Sequence, residues 1–401
     1  MFFALKGPNF NANDFAHEAL QKGAAHAVVD DLSVVQDDRF ILVDDVLESL
    51  QELGRHHRRQ FSIPVVGITG SNGKTTTKEL MHAILAADRP TLATSGNLNN
   101  HIGVPLTLLR LNSTHRCAII EMGANKPGDI AELAGLAEPT HGLITNIGKA
   151  HLEGFGGLEG VIRTKTELYK DLSHRNAVAF VDNDDPLLMD KSHGLQRVTY
   201  GTSATADWIG IQEQNGPFLG LSWQHHGKRS GLAKTRLIGG YNFKNAMAAV
   251  AVGGTLGVSD EKMRSALTNY EPSNNRSQLV ETAHNLLVMD AYNANPTSMR
   301  SALENFAVME PGRPRLAILG DMLELGQDSI PEHEEVVRRT QELDLATYFV
   351  GPLFMGIVPG PNKAQDAKAA LEHFTRSPVR DHLILIKGSR GIRLETLREV
   401  L

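Results

Sequence analysis

The stretch that decides the fold of this chain reads GITGSNGKTTTKEL, from Gly67 to Leu80. An apolar run from Ile63 to Thr69 predicts a strand, a glycine-rich turn follows it, and Lys74-Thr75-Thr76 opens a helix. Glycines allow backbone N–H groups to surround an anion, and the helix N-terminus adds the positive end of its dipole. In such a loop the lysine reaches terminal phosphates and the threonine hydroxyl holds Mg²⁺. The stretch therefore predicts a nucleoside-triphosphate site.

The loop departs from the strict phosphate-loop pattern at its start. Ile68 stands where the first glycine belongs, and Gly67 lies one residue early. The alternative is an ordinary glycine-rich turn, but strand, turn, Lys-Thr and helix in this order favour the nucleotide site. We expect the following loop residues to bind ATP: Gly70, Ser71, Asn72, Gly73, Lys74, Thr75 and Thr76.

The composition is typical of an enzyme of two or three domains, with 401 residues, 41% hydrophobic and 21% charged. The net charge of −6 and the mixing of acidic with basic residues give no basic surface for nucleic acid or an anionic membrane. One cysteine, Cys117, excludes an internal disulfide and a cysteine-based zinc cluster, and its apolar neighbours predict a buried thiol. Because neither a signal peptide nor a membrane span is visible, we expect a cytoplasmic protein.

Short apolar runs alternate with helical patterns along most of the chain. This rhythm predicts an α/β fold with a mostly parallel sheet, helices on both faces, and ligands at the carboxyl ends of the strands. Residues 1 to about 60 form a small separate unit, and residues 197–235 predict antiparallel strands within or beside the central region. The predicted strands are Cys117 to Ile120, Gly142 to Asn146, Ala177 to Val181, Leu286 to Met289, Leu316 to Leu319, Tyr348 to Val350 and Leu383 to Ile386.

Glu121 ends the first of these strands, which places a carboxylate at the sheet edge beside the phosphate loop. A carboxylate there can ligate Mg²⁺ directly or through water. A solvated glutamate at a strand end is the alternative, and the neighbouring loop makes the metal ligand the stronger interpretation.

His151, in NIGKAHLEGFGG, also lies just beyond a predicted strand. A single histidine among 17 is more often structural, but its position after the strand makes it a candidate for the site. Lys165, in the helical segment VIRTKTELY, reads by itself as a surface lysine. If it were buried near a metal, its pKa would fall, and the neutral amine could take up CO₂ to become an anionic carbamate.

Two asparagines, Asn242 and Asn245, lie three residues apart at the start of an alanine-rich helix in GGYNFKNAMAAV. Amides on one helix face suit recognition of a base edge, and helix capping by Asn242 is the alternative. DAYNANP follows the strand that ends at Met289; its Asp290 can accept from ribose hydroxyls, whereas its asparagines Asn293 and Asn295 suit turns or ligand contacts.

The order of these motifs resembles the Mur ligase family. The resemblance runs from residue 2 to the C-terminus, and three of its features, DAYNANP, LGDMLELG and Asn99-Asn100, are most similar to members that add D-alanyl-D-alanine to UDP-N-acetylmuramoyl-tripeptide. It rests on TGSNGKTTTKE, SGNLNNHIGVPLTLL, EMGANKPGDI, NIGKAHLEGFG, TKTE, YNFKNAMAA, DAYNANPTSM, LGDMLELG with His333, and KGSRG.

The resemblance implies three domains: an N-terminal UDP-substrate domain (1–62), a central ATPase (63–272) and a C-terminal Rossmann-like domain (273–401) that closes on it. It also implies an ATP-dependent ligase of peptidoglycan synthesis, in which the tripeptide carboxylate attacks the ATP γ-phosphate and the dipeptide amine then attacks the resulting acyl phosphate. We expect a monomer with no nucleic-acid partner.

By matching position, the resemblance assigns a role to each candidate residue. Lys74 stabilises the transferring phosphoryl group, and Arg276 reaches the γ-phosphate. Thr75 and Glu121 hold one Mg²⁺, and His151 with a carbamylated Lys165 holds a second. The adenine faces Asn242 and Asn245, the ribose contacts Asp290, and the residues assigned to the substrates are Asn97, Asn99, Asn100, Asn293 and Asn295.

Two features depart from the family pattern. Family members carry an earlier strand and loop, whereas this chain opens at MFFALKG, so we expect an incomplete uridine pocket, an open sheet edge and weak binding of the UDP-linked substrate. Asn275 replaces the glycine that usually precedes the C-terminal arginine, Arg276. The alternatives are another Mur ligase, an amide ligase similar to folylpolyglutamate synthase, or a catalytically silent nucleotide-binding protein.

Overall fold

A computed structural model describes residues 1–149, 152–215, 218–272, 275–309 and 312–401. Within these residues the strands form three main sheets, of three, ten and six strands in chain order, and a small two-stranded ribbon. The α/β class and the mostly parallel pairing are confirmed. None of the described helices combines the length and apolarity needed to cross a membrane.

The N-terminal region is a small parallel sheet with the strand order β1-β4-β5 and a helix packed on it. Its core is built mostly from small and branched side chains such as Ala16 and Val29, together with the aromatic ring of Phe40. The helix that leads to the central region begins at Asp45, whose carboxylate accepts from the Glu48 N–H at 2.8 Å. The elements are β1 (Phe2–Phe3), β2 (Lys6–Gly7), β3 (Phe10–Asn11), α1 (Ala16–Gln21), β4 (Ala27–Val29), β5 (Phe40–Leu42) and α2 (Val46–Arg58).

The central region is one large sheet in which the described strands follow the order β14-β13-β12-β11-β10-β9-β6-β8-β7, with β15 paired to β13. Helices cover both faces. The elements are β6 (Val65–Thr69), α3 (Lys74–Ala86), β7 (Thr91–Ala93), α4 (Gly103–Leu108), β8 (Cys117–Glu121), α5 (Asp129–Ala137), β9 (His141–Ile144), α6 (Leu152–Phe155), α7 (Leu158–Lys165), α8 (Glu167–His174), β10 (Val178–Asp182), α9 (Pro186–Lys191), β11 (Gln196–Gly201), β12 (Trp208–Asn215), β13 (Phe218–His225), β14 (Lys228–Arg229), β15 (Ala233–Ile238), α10 (Asn242–Thr255) and α11 (Asp260–Asn269).

Alternate residues of the central strands point to opposite faces of this sheet. On β6, for example, Ile68 joins one core and Val65 joins the other. Cys117 is buried, as its apolar neighbours predict, and burial raises the pKa of its thiol to about 11. The sheet is thus covered on both sides, which leaves its strand ends as the place for a site.

The prediction of antiparallel strands for residues 197–235 is wrong for the first of them. β11 pairs in parallel with β10 and with β12. The reason is the short helix α9, which returns the chain so that β11 runs in the direction of β10. As predicted, β13 is antiparallel to both β12 and β15.

The C-terminal region is a sheet with the order β16-β17-β21-β18-β19-β20, parallel except for the β16 to β17 pair. The strands predicted here are present to within two residues at each end. The elements are β16 (Gln278–Glu281), β17 (Leu286–Asp290), α12 (Pro296–Val308), β18 (Arg315–Gly320), α13 (Ser329–Glu342), β19 (Ala346–Val350), α14 (Pro352–Ile357), β20 (Lys363–Ala364), α15 (Ala367–Arg376) and β21 (Leu383–Lys387).

We predict that Gly254→Ala destabilises the central region. Gly254 lies in α10, and a Cβ there would come within 2.0 Å of Cη2 of the buried Trp208 ring. Overpacking of this kind costs about 1–3 kcal/mol, which exceeds the gain of about 1 kcal/mol in helix propensity. The midpoint of thermal unfolding should therefore fall.

Gly135→Ala is the matched control, because Gly135 also lies in a helix, α5, and a Cβ there meets nothing within 4 Å. Its unfolding midpoint should stay unchanged or rise. Equal midpoints for the two variants would contradict the packing of α10 on Trp208.

Candidate active site

A cavity of about 1080 Å³ lies where the three regions meet. Its wall runs from Leu47 of α2, across the phosphate loop and the end of β8, to the ends of β17 and β21. Most of the predicted residues share this wall: Ser71, Asn72, Gly73, Lys74, Thr75, Thr76, Asn97, Asn99, Asn100, Glu121, Asn242, Asn245, Arg276, Asp290, Asn293 and Asn295. Gly70 and Lys165 do not line it, and His151 lies outside the described residues.

The phosphate loop owes its shape to two glycines in the left-handed region, Gly70 at φ +139° and Gly73 at φ +80°. A Cβ at Gly70 would lie 2.0 Å from Oγ1 of Thr145, and one at Gly73 would lie 2.4 Å from Oδ1 of Asn245. The loop backbone is also fixed by Asn146, whose side-chain oxygen accepts from the Asn72 N–H at 3.0 Å. Neighbouring elements therefore hold the loop in its curved form before any ligand arrives.

The Lys74 ammonium folds back over this loop. Its Nζ donates to the backbone oxygens of Gly70 at 2.7 Å and Ser71 at 3.3 Å. Burial lowers the pKa of Lys74, while Glu121 opposes this shift and Arg276 adds to it. The ammonium is thus held at the point where terminal phosphates would lie, bonded to acceptors that a phosphate can replace.

Glu121 is buried, with 1% of its surface exposed, and is not the solvated strand-end glutamate of the alternative interpretation. Its Oε1 accepts from Thr75 Oγ1 at 3.1 Å and from Asn99 Nδ2 at 2.8 Å. Among the described residues its Oε2 has no hydrogen-bond partner, and the Lys78 ammonium lies 3.9 Å away. A buried anionic oxygen with an open coordination position, beside a threonine hydroxyl, fits Mg²⁺.

Sequence reasoning missed Lys78. It is fully buried, and its Nζ donates to the Thr94 carbonyl at 2.8 Å and pairs with Glu79 at the same distance. The signal was its spacing, since a residue three positions after Thr75 and four after Lys74 lies on the same helix face. Lys78 supplies the charge that balances the buried Glu121.

Asn242 and Asn245 are bonded to each other, Nδ2 of Asn245 donating to Oδ1 of Asn242 at 2.9 Å. Asn242 also donates to the Ile238 carbonyl at 2.8 Å, so it does not cap the helix through its side chain. Asn245 accepts from Thr77 Oγ1 at 3.1 Å and lies against Gly73. Both amides therefore support the phosphate loop, and both still line the cavity.

Asp290 lies at the end of β17 and forms an ion pair with Lys387, at the end of the adjacent strand β21, at 2.5 Å. Lys387 has 2% of its side chain exposed and lines the cavity, but sequence reasoning gave it no role. The motif KGSRG contained it, and its position after a predicted strand was the available signal. Because Lys387 occupies one carboxylate oxygen, Asp290 offers mainly the other, which also accepts weakly from the Ser277 N–H at 3.3 Å.

Arg276 comes to the cavity from the segment that joins the central and C-terminal regions. Its guanidinium stacks on the Tyr292 ring, 3.7 Å from the centroid. The preceding Asn275 has φ +54°, the conformation that glycine adopts freely and that asparagine tolerates best among the other residues. Asn275 thus suits the place that the resemblance gives to a glycine.

Of the remaining candidate asparagines, two make structural hydrogen bonds and two are exposed to the cavity. Asn100 accepts from the Gly103 N–H at 2.8 Å, at the start of α4. Asn295 caps α12 by accepting from the Ser298 N–H at 2.9 Å, and its Nδ2 donates to Oδ1 of Asn72 at 2.7 Å. The last bond joins the C-terminal region directly to the phosphate loop. Asn97 and Asn293 are exposed on the cavity wall.

Lys165 is not the surface lysine that its helical segment alone predicts. It has 2% of its surface exposed, and its Nζ lies 5.5 Å from the centroid of the Phe155 ring. Burial lowers the pKa of Lys165 well below its ordinary value, and Lys74 adds to this shift. Among the described residues, no group of three His, Cys, Asp or Glu side chains is arranged to hold a metal ion.

The comparisons with known proteins agree with this geometry. The family model of the Mur ligase middle domain matches residues 68–253, and that of the Mur ligase glutamate ligase domain matches residues 275–390. The chain belongs to the Mur ligase family. It is 34% identical to the UDP-N-acetylmuramoyl-tripeptide–D-alanyl-D-alanine ligase of Bacillus subtilis, over 99% of this chain and 89% of that protein. The Escherichia coli protein of the same name is 37% identical over 84% and 75% of the two chains.

Solved Mur ligase structures share the fold of this Mur ligase. A crystal structure of MurF from Acinetobacter baumannii superposes with a TM-score of 0.89 at 32% identity, covering 99% of this chain and 89% of that one. MurF from Thermotoga maritima in complex with ADP gives 0.87 at 31% identity, covering 99% and 92%. A folylpolyglutamate synthase of Mycobacterium tuberculosis, 15% identical with a TM-score of 0.69, shares the fold only.

We predict that Gly73→Ala strongly weakens nucleotide binding by this Mur ligase. The new methyl group would meet the Asn245 side chain at 2.4 Å and would also sit at a positive φ. The loop must then move away from its phosphate-binding form. Calorimetric titration with ADP and Mg²⁺ should show a loss of affinity of about a hundredfold or more, equivalent to about 3 kcal/mol.

Gly257→Ala separates crowding from backbone strain. Gly257 has φ +89°, but its nearest neighbour would be Arg89 at 3.9 Å. This variant should bind ADP as the wild type does and lose only stability. Equal loss of ADP affinity in both variants would show that general strain is responsible.

Proposed function

We propose that this Mur ligase joins D-alanyl-D-alanine to UDP-N-acetylmuramoyl-tripeptide, with cleavage of ATP to ADP and phosphate, in cytoplasmic peptidoglycan precursor synthesis. The names of the relatives that match almost the whole chain support this. The observation that carries the proposal is that one cavity brings the phosphate loop, Glu121, Arg276 and the Asp290–Lys387 pair together.

The first step joins two anions, the tripeptide carboxylate and the ATP γ-phosphate, to form an acyl phosphate. Their repulsion must be offset by clustered positive charge. Lys74 stabilises the transferring phosphoryl oxygens, and Arg276 lines the same cavity from the C-terminal side. Because both cations already lie at this cavity, little reorganisation is needed when the reaction occurs.

Thr75 and Glu121 are the residues that would hold Mg²⁺, since the hydroxyl and the open Oε2 share one corner of the cavity. When bound, the ion neutralises charge on the phosphate oxygens. Asn99 orients the carboxylate through its bond to Oε1. Lys78 balances the charge of Glu121 from the buried side.

The second step is the attack of the dipeptide amine on the acyl phosphate carbonyl, which releases phosphate. Water would hydrolyse the acyl phosphate, so closure of the C-terminal region over the loop protects it. Two contacts support such closure: Asn295 bonds Asn72, and Lys149 pairs with Glu332 at 2.6 Å. We assign the adenine to the wall near Asn242 and Asn245, the ribose to Asp290, and substrate contacts to Asn97 and Asn293.

We also propose that Lys165 is carbamylated and, with His151, completes a second metal site. The burial of Lys165 and its lowered pKa support the neutral amine that CO₂ requires. The carbamate would exchange a buried ammonium for an anionic oxygen ligand.

The function is tested by phosphate release with a panel of acceptors. UDP-N-acetylmuramoyl-tripeptide with D-alanyl-D-alanine should stimulate phosphate release, and mass spectrometry should find the pentapeptide product. Folate with glutamate, or UDP-N-acetylmuramoyl-dipeptide with an amino acid, should give none. Stimulation by either of these instead would replace the proposed substrate.

Lys74→Ala should lower phosphate release by about a thousandfold or more in this assay, because its ammonium stabilises the transferring phosphoryl group and nothing in the loop replaces it. Lys191→Ala, at a surface lysine paired with Asp190, should keep the wild-type rate. Wild-type turnover in Lys74→Ala would rule out this role of the loop.

The carbamate is tested without turnover. In ¹³C-labelled bicarbonate, the wild type should show a protein carbamate resonance that Lys165→Arg lacks and that Lys170→Arg, at an exposed lysine of the next helix, keeps. Lys165→Arg should also lose ligase activity, since it retains positive charge where an anion is required. A wild type without the resonance, or an active Lys165→Arg, would contradict the proposal.

A further inference from the structure

The segment that carries Arg276 into the cavity is held in an unusual backbone conformation. Asn275 and Ser277, on either side of the arginine, both have positive φ, +54° and +49°. Asparagine tolerates this region, but serine adopts it rarely and at a cost in free energy. Such a conformation persists only where the surroundings enforce it, so contacts around Ser277 must hold the residue in place.

Ser277 is bonded from both sides of the junction. Its Oγ forms a hydrogen bond of 2.5 Å with the hydroxyl of Tyr241, which stands immediately before α10 in the central region. Its backbone N–H donates to Oδ1 of Asp290 in the C-terminal region, at 3.3 Å. Ser277 itself is buried, with 6% of its surface exposed.

The Tyr241 ring is packed closely against the backbone at Gly239. A Cβ at Gly239 would lie 2.5 Å from Cε1 of this ring, so the absence of a side chain at Gly239 makes room for it. Tyr241 directly precedes α10 in the chain, and Asn245 of this helix lies against Gly73 of the phosphate loop. Tyr241 therefore links the element that supports the loop to the segment that delivers the arginine.

Among the described residues, few contacts fix the Arg276 side chain, so its direction depends on this arrangement. Its guanidinium stacks on Tyr292, and among the described residues its buried Nε has no hydrogen-bond partner. Stacking restricts the distance to the ring but leaves the direction along it free. The backbone on both sides must therefore set where the side chain points.

We infer that Tyr241 and Ser277 are positioning residues for the ligase reaction: their hydroxyl bond fixes segment 275–277, in which Asn275 and Ser277 have positive φ, and so directs Arg276 toward the phosphoryl group. This inference rests on the proposed function for its kinetic consequence. The sequence pattern assigned the neighbouring asparagines to the nucleotide and gave neither hydroxyl a role.

A double-mutant cycle tests the inference. Tyr241→Phe removes one oxygen and keeps the ring, and its kcat should fall about tenfold, the equivalent of one hydrogen bond. Arg276→Ala should lose about a hundredfold. The double variant should match Arg276→Ala within about twofold, because Tyr241 acts through the arginine.

Further losses that multiply, about a thousandfold in the double variant, would overturn the inference, as would wild-type kcat in Tyr241→Phe. Ser277→Ala removes the same bond from the other side, so it should lose as much as Tyr241→Phe and should not add to it. Tyr348→Phe is the control, because Tyr348 is buried and its hydroxyl donates to the Lys363 carbonyl at 3.3 Å away from the cavity. An equal loss in this control would reduce the effect to general stability and overturn the inference.

Limited digestion with trypsin gives a reading that does not need turnover. The bond between Arg276 and Ser277 is a trypsin site within the held segment, and its cleavage is identified by a fragment that begins at Ser277. Tyr241→Phe should be cut there about tenfold faster than the wild type or Tyr348→Phe. Unchanged cleavage in Tyr241→Phe would contradict the inference, whether or not the wild type is active as a ligase. If Tyr241→Phe is cut faster but the wild type shows no ligase activity, only the proposed function is overturned.

Discussion

Two glycines of the phosphate loop are packed so closely that a side chain at either would collide with a neighbour, and the site is built on this close approach. The Thr145 side chain, just after β9, packs against Gly70, and the Asn245 side chain of α10 packs against Gly73. The loop is thereby held in a tight curve, with the Ser71 and Asn72 N–H groups bonded to Asn146 and the Lys74 ammonium bonded to the backbone oxygens of Gly70 and Ser71. Lys74, Thr75 and the start of α3 take their positions from that curve.

The second constraint is electrostatic. Glu121 is buried, and a buried carboxylate is stable only when it is paired or hydrogen-bonded. Thr75 and Asn99 satisfy one oxygen, and Lys78 approaches the other at 3.9 Å. Asp290 and Lys387 repeat the arrangement on the opposite wall. Charges that would repel bound phosphate are thus balanced locally, while Lys74 and Arg276 face the cavity.

Much of the fold followed from local patterns. Short apolar runs, such as Cys117 to Ile120, predicted strands because buried parallel strands are continuous hydrophobic segments. The direction of β11 did not follow, because the short helix α9 before it gives a weak signal and pairing direction depends on distant strands. Strand boundaries shifted by up to two residues for the same reason, since neighbouring strands decide where pairing ends.

The phosphate loop, the order of the motifs and the carboxylate at the end of β8 could be predicted from the sequence, because each depends on residues close together in the chain. Which side chains are buried and what they bind became known from the tertiary structure alone. Lys78, Lys165 and Lys387 read as ordinary lysines, yet all three are buried. The pairing of Asn295 with Asn72 spans 223 positions in the chain. Local sequence carries no record of such distances, because burial and long-range contacts arise from the packing of whole regions against one another.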